Sequence, residues 1–161
     1  MFAVLVCFLV DAARRRLISA LESEIKDLDA TLSHVSGADL IWLAHHEDCF
    51  STVVREYTYE FCPFKQANQK SGGSTSLGRF TRFDSADGKT QLHFEKGQRC
   101  WQGMDRKAVV HTSCGLTSVI TLVEEPSTCF YSIQFDTPIA CSLSTANALR
   151  QEIETEVHSE L

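Results

Sequence analysis

The chain has 161 residues, enough for one domain and a short additional element but not for two full domains. Hydrophobic residues make up 43% of the chain and charged residues 22%, which is the composition of an ordinary globular protein. The net charge is -6, and no Lys/Arg-rich patch interleaved with aromatic residues is present. Nucleic acid and other polyanions are therefore excluded as expected partners.

The chain starts with an apolar run, MFAVLVCFLV, at residues 1–10. As a helix, a run of this length spans about 15 Å, which is roughly half of a bilayer core. It is therefore expected to be the core of a signal sequence over residues 1–14 and not a stable membrane span. Three arginines follow the run and no basic residue precedes it, so a misplaced start is the alternative interpretation.

Residues 15–36 are predicted to form a short amphipathic, coiled-coil-like helix that ends at Ser36-Gly37. Its apolar positions recur at alternating spacings of three and four residues, as in the apolar seam of a coiled coil. This pattern predicts that the helix packs on a partner helix or on the edge of its own domain. The apolar positions are Ile18, Leu21, Ile25, Leu28 and Leu32.

From about residue 40 the hydrophobic period changes to two, which is typical of β-strands. Residues 53–61, VVREYTYEF, are predicted to form one strand. Five further short strands are predicted up to residue 136, separated by turn signals such as KSGGSTSLG, SADGK and EKGQ. The fold class is therefore all-β, a sandwich or flattened barrel over residues 40–142. Residues 143–161 are expected to be a polar, helix-permissive tail.

The chain contains seven cysteines, and Cys7 lies in the N-terminal apolar run. The other six are dispersed between residues 49 and 141, without the close pairs that zinc sites and thioredoxin-like redox motifs show. They predict three disulfides, hence an oxidising compartment, and no metal site. The sequence alone leaves the pairing open.

The last four residues, HSEL, differ from the K/H-D-E-L retention signal by Ser159 in place of the acidic residue. We therefore expect the protein to lie in the lumen of the endoplasmic reticulum.

Several segments together resemble the mannose 6-phosphate receptor homology (MRH) domain, in the version found in the non-catalytic β subunit of glucosidase II. The segments are DCFSTVVREYTYEFCPFKQANQKSGGSTSLG, RCWQGMDR, SCG and EEPSTCFY…TPIAC. The resemblance covers about residues 40–142, and the leading helix is similar to the one that precedes the domain in that subunit. It implies a flattened β-barrel of the P-type lectin class, without catalysis or cofactor. The disulfides that it implies are Cys49–Cys62, Cys100–Cys129 and Cys114–Cys141.

In this family a Gln, an Arg, a Glu and a Tyr recognise mannose. The matching positions are Gln69 after CPFK, Arg106 six residues after Cys100, Glu125 before PS-x-C, and Tyr131 two residues beyond Cys129. The residue types suit a sugar, because adjacent hydroxyls both donate and accept hydrogen bonds. A carboxylate accepts from two hydroxyls, a guanidinium donates through a rigid fork, and an amide does both.

Trp101, next to Cys100, is either a wall for the C–H face of the sugar or a core residue.

The predicted function is a lectin module of the endoplasmic reticulum that binds terminal mannose of high-mannose N-glycans. It would recruit substrates as the regulatory β subunit of glucosidase II, with the catalytic α subunit as partner. A free-standing mannose-binding lectin for sorting or degradation is the alternative. An enzyme that uses a free thiol or Glu125 is disfavoured, since no second carboxylate is placed as a partner of Glu125, no nucleophile–base pair is visible and the cysteines are committed to disulfides.

Overall fold

In a computed structural model, the chain divides into two units, residues 1–36 and 37–161. The structure describes residues 2–86, 88–101, 103–142, 144, 145, 147, 148, 150 and 151, with residues 2–10 and 38 described by their backbone alone. Most of the predicted polar tail, residues 143–161, thus lies outside the described residues.

The first unit is a single helix, α1, Phe2–Ser33. It begins much earlier than the predicted residue 15, because residues 2–14 contain no Gly or Pro that would interrupt the helix. It ends before Ser36-Gly37, and Gly37 has the left-handed backbone (φ 54°) that often follows a helix. Among the described residues, no helix combines the length and apolarity needed to cross a membrane. The predicted signal sequence over residues 1–14 stays a prediction.

The second unit begins with a 3-10 helix, Gly37–His45, and continues as a single eight-stranded sheet. The order of strands in the sheet is β1-β2-β3-β4-β5-β6-β8-β7. All neighbours pair antiparallel except β6 and β8, which are parallel. The edge strands β1 and β7 contact each other, so the sheet curls into a nearly closed barrel. The strands are β1 (Phe50–Val54), β2 (Tyr57–Phe61), β3 (Gln66–Lys70), β4 (Ser74–Ala86), β5 (Lys89–Glu95), β6 (Lys107–Cys114), β7 (Val119–Ser127) and β8 (Phe130–Thr137).

The predicted all-β barrel fold is confirmed, but the prediction of one strand over residues 53–61 is wrong. Two antiparallel strands, β1 and β2, are joined there by a tight turn at Arg55 and Glu56. Arg55 takes the left-handed conformation (φ 56°). The turn has no Gly, Pro, Asn or Asp to mark it, so the alternating pattern continues through it without a break. The sequence analysis also missed β3 and the 3-10 helix.

The core of the barrel is largely aromatic. Alternate residues of β8 point inward, with Tyr131, Ile133 and Phe135 all buried, as their period of two predicts. The Phe135 ring lies 5.0 Å from that of Phe61 and 4.5 Å from that of Phe50, measured between centroids. Burial of such side chains is the main contribution to the stability of the barrel.

Three disulfides fasten the ends of strands, and they are the pairs that the resemblance implies. Cys49–Cys62 joins the segments that flank the β1–β2 hairpin. Cys100–Cys129 joins the loop before β6 to the turn between β7 and β8. Cys114–Cys141 joins the end of β6 to the end of the 3-10 helix Pro138–Ala140.

Gly78 lies where the backbone of β4 packs directly against that of β5. A substitution at this position tests the packing of the barrel. Its φ is +148°, and an added Cβ would lie 2.5 Å from the carbonyl carbon of Phe94. Because the obstacle is backbone, Gly78→Ala should lower the free energy of unfolding by about 2–4 kcal/mol. Gly73→Ala is the matched control, since a Cβ added there would have nothing within 4 Å. Equal stability of the two variants in urea unfolding would contradict this packing.

Two strand histidines make the stability of the barrel dependent on pH. Burial lowers the pKa of His93, with help from the nearby Arg82 guanidinium, and burial lowers the pKa of His111. The unfolded chain therefore binds protons before the folded chain does, as pH falls below about 6.5. Stability should be fully present above that pH and decline as the pH falls below it toward pH 5. The double variant His93→Gln/His111→Gln should lose less unfolding free energy between pH 8 and pH 5 than the unaltered chain, each measured relative to its own value at pH 8. An equal loss would contradict the role of the two histidines.

Candidate functional site

The loop before β6 is a compact hairpin that delivers Arg106 to the start of that strand. The N–H of Gly97 donates to the carbonyl of Arg106 at 2.9 Å, and the N–H of Cys100 donates to the carbonyl of Met104 at 2.7 Å. The Cys100–Cys129 disulfide then fixes the tip of the hairpin to the neighbouring turn. The position of Arg106 is thus set by backbone hydrogen bonds and one covalent link.

The side chain of Arg106 is held by its own loop but not fully satisfied. One terminal nitrogen, Nη1, donates to the carbonyl oxygens of Gln98 and Arg99 at 3.2 and 3.1 Å. The Nε–H is buried and has no hydrogen-bond partner. A buried donor without an acceptor is costly and needs a physical explanation. An acceptor from outside the chain would satisfy it.

The turn between β7 and β8 fixes Glu125. Cys129 takes the left-handed conformation, with φ at 64°, and its N–H donates to Glu125 Oε1 at 2.6 Å. The carbonyl of the same cysteine accepts from the N–H of Lys107, the residue after Arg106, at 3.1 Å. Glu125 and Arg106 are thus anchored on two sides of Cys129. Within the described part of the chain, no ion pair joins them and Oε2 of Glu125 accepts no hydrogen bond.

Gln69 and Tyr131 meet through a third residue, Tyr59. Gln69 faces Tyr59 across the β2–β3 pair, and its Nε2 donates to the Tyr59 hydroxyl at 3.0 Å. The rings of Tyr59 and Tyr131 lie 6.3 Å apart between centroids. The Tyr131 side chain is buried at the start of β8, where Ala108 of β6 is its backbone neighbour.

Glu125 is electrostatically coupled to the same cluster. Burial raises the pKa of Tyr59, and coupling to Tyr131 and to the Glu125 carboxylate raises it further, whereas the hydrogen bond from Gln69 lowers it. Gln69, Glu125 and Tyr131 therefore all act on one phenol. Arg106 joins them through the Cys129 turn, and no direct contact between its side chain and the other three is observed among the described residues.

The structure changes the interpretation of one residue, Trp101, and adds another residue, Tyr59, to the site. Trp101 is 81% exposed, so its interpretation as a core residue is wrong, and its role as a wall for a ligand stays a prediction. Tyr59 is a member of the cluster that sequence analysis missed. The sequence YTYEF shows two alternating tyrosines, Tyr57 and Tyr59. Only the register between β2 and β3 places Tyr59 opposite Gln69.

The cluster offers an amide, a guanidinium, a carboxylate and two phenols at one end of the barrel. Such a set donates and accepts several hydrogen bonds at once, which suits a ligand with adjacent hydroxyls. No group of three His, Cys, Asp or Glu side chains that could hold a metal ion occurs among the described residues. The arrangement is suited to recognition of a polyol.

Comparison with solved structures defines the class of this fold. A crystal structure described as the MRH domain of glucosidase II β bound to mannose is 33% identical and superposes with a TM-score of 0.53. The match covers 62% of this chain and 99% of that domain. The β unit of this chain therefore has the fold of an MRH domain.

The family follows from sequence comparison. The family described as "Glucosidase II beta subunit-like protein" matches residues 10–160, and the chain belongs to this family. The glucosidase 2 β subunit of Oryza sativa subsp. indica is 36% identical over 138 residues, covering 85% of this chain and 22% of that protein. The human glucosidase 2 β subunit is 36% identical over 101 residues, covering 60% and 19%. The chain thus spans about a fifth of the length of these relatives.

The tyrosine cluster can be tested without any ligand. The chain has three tyrosines, so the titration of Tyr59 is obtained from the ultraviolet difference between each variant and its Tyr59→Phe counterpart. Gln69→Leu removes the donor that favours the phenolate, so the Tyr59 pKa should rise. Glu125→Gln removes a negative charge, so the Tyr59 pKa should fall.

Glu124→Gln, a change of the adjacent acid, is the control and should leave the Tyr59 pKa unchanged. If the pKa responds equally to Glu124→Gln and Glu125→Gln, the two carboxylates are not distinguished and the described position of Glu125 is wrong.

Proposed function

We propose that the MRH unit of this chain is a lectin that binds a terminal mannose of high-mannose N-glycans. The observation that carries the proposal is the buried, unpaired Nε–H of Arg106 beside the Cys129 turn that also fixes Glu125. The mannose-bound MRH structure at 33% identity supports the choice of sugar.

Each member of the cluster has a role in this proposal. Arg106 donates from Nε to a sugar hydroxyl oxygen, and the free Oε2 of Glu125 accepts from one or two hydroxyls. Gln69 is oriented by its bond to Tyr59, which leaves its carbonyl oxygen available as an acceptor. Tyr131 supplies a phenol on a ring that the barrel holds rigidly. In this proposal Trp101, which is exposed at the tip of the hairpin, covers the apolar face of the sugar.

The size of one sugar limits the affinity. A hexose has about 12 non-hydrogen atoms and, at roughly 0.3 kcal/mol per atom, binds with about 4 kcal/mol, a millimolar dissociation constant. A single site of this kind is effective when it is linked to another binding event that raises the local concentration. This supports the role of an accessory module.

The wider role follows from the family. We propose that the chain is non-catalytic and works in the lumen of the endoplasmic reticulum, where it brings mannose-bearing glycoproteins to the catalytic α subunit of glucosidase II. The names of the rice and human relatives support this role. Co-purification of the intact chain with an α-glucosidase separates it from a free-standing lectin of the same fold.

The lectin proposal is tested on a glycan array with the intact chain. Arg106→Ala and Glu125→Gln should abolish binding to high-mannose glycans, a loss of at least about tenfold each, because each removes one polar partner of the sugar. The fold should survive both changes. The amide carbonyl that Glu125→Gln introduces can still accept from the N–H of Cys129, and Arg106 contributes no core volume.

Glu124→Gln, on the same strand, is the matched control and should bind like the unaltered chain. Full binding by both site variants, with unfolding transitions equal to that of the unaltered chain, would refute the site.

A further inference from the structure

Helix α1 exposes a row of large apolar side chains along one face. They follow the three-four spacing of a coiled coil, and each is between 45% and 59% exposed. A contiguous apolar row of this kind usually marks an interaction surface. We call it the α1 seam, and it consists of Ile18, Leu21, Ile25, Leu28 and Leu32.

Acidic residues occupy three of the positions that flank the α1 seam. Glu22, Glu24 and Asp29 occupy the positions beside the apolar row that face a partner helix, whereas Lys26 lies on the outer side. In a parallel pair of two copies, Glu24 would face Asp29 of the other copy. In an antiparallel pair, Glu22 would face Asp29 of the other copy. Both arrangements oppose like charges, and the net charge of -6 on each chain adds to the repulsion.

We propose that the α1 seam docks an amphipathic helix of a different protein whose own apolar row is flanked by lysine or arginine. The acidic flanks disfavour a second copy of this chain. The seam extends over about 15 residues, or roughly 22 Å of helix, so the partner helix needs only two heptads. Pairing over so short a seam is weak, and the contact is therefore reversible. This proposal concerns the helix and goes beyond glycan binding.

A disulfide-exchange competition tests the preference for basic flanks. The probe is a copy of this chain with Glu22→Lys, Glu24→Lys and Asp29→Lys. Both chains carry Cys7→Ser and Ser36→Cys, which places one thiol beyond the end of the seam on an exposed residue. In a glutathione redox buffer, linkage brings the helices to a high local concentration, so that weak pairing becomes measurable.

We expect the mixed disulfide to exceed its statistical share by about fivefold or more at low salt, because two repulsive pairs become attractive. A second run pairs Ser36→Cys with Ser19→Cys in the probe, so that antiparallel helices are also detected. As a control, both chains carry Leu21→Gln, Ile25→Gln and Leu28→Gln, which keeps the helix and its charges but removes the seam; the excess should disappear.

Two results would overturn the proposal. One is a disulfide of the unaltered seam with itself at or above its statistical share, which would make the seam a self-association surface. The other is no mixed excess in either arrangement, which would mean that the seam does not dock a basic helix. Glycan binding by the same chains is measured in parallel, so failure of the helix pairing is distinguishable from failure of the lectin site.

Discussion

The turn at Cys129 is the constraint on which the candidate site depends. Its left-handed backbone would be unfavourable alone, but the Glu125 carboxylate accepts from its N–H and a disulfide holds its side chain. The carbonyl of the same residue accepts from Lys107 and so positions the end of the hairpin that carries Arg106. One residue thus fixes the relative positions of a carboxylate and a guanidinium that lie about 20 residues apart in the chain.

The parallel pairing of β6 and β8 extends this organisation into the barrel. Because the two strands run in the same direction, the segments that precede them lie at the same end of the sheet. That end receives Arg106 from the loop before β6 and Tyr131 from β8. Across the barrel, the β2–β3 hairpin contributes Tyr59 and Gln69 to the same end. The site is therefore built from β2, β3, β7, β8 and the loop before β6, and no single segment of the sequence contains it.

Much of the fold could be predicted from sequence because period-two alternation records which face of a strand is buried. The β8 residues Tyr131, Ile133 and Phe135 are buried as expected. The pattern failed at Arg55 and Glu56, where a turn without turn-forming residues interrupts the alternation. The site residues Gln69, Arg106, Glu125 and Tyr131 were predicted from the family resemblance, by their positions relative to the six dispersed cysteines. Tyr59 could not be assigned to the site from the sequence, because its contact with Gln69 depends on the register between two strands, which alternation alone does not specify.

The unpaired Nε–H of Arg106 has a consequence for selectivity. The cost of removing this donor from water is met when the chain folds, before any ligand arrives. In the proposed lectin site, a sugar with an oxygen in the right place relieves that cost, while an epimer without it leaves the donor unpaired. Such a site discriminates mainly by how poorly it tolerates the wrong stereochemistry, so it can be weak for its own sugar and still be strict.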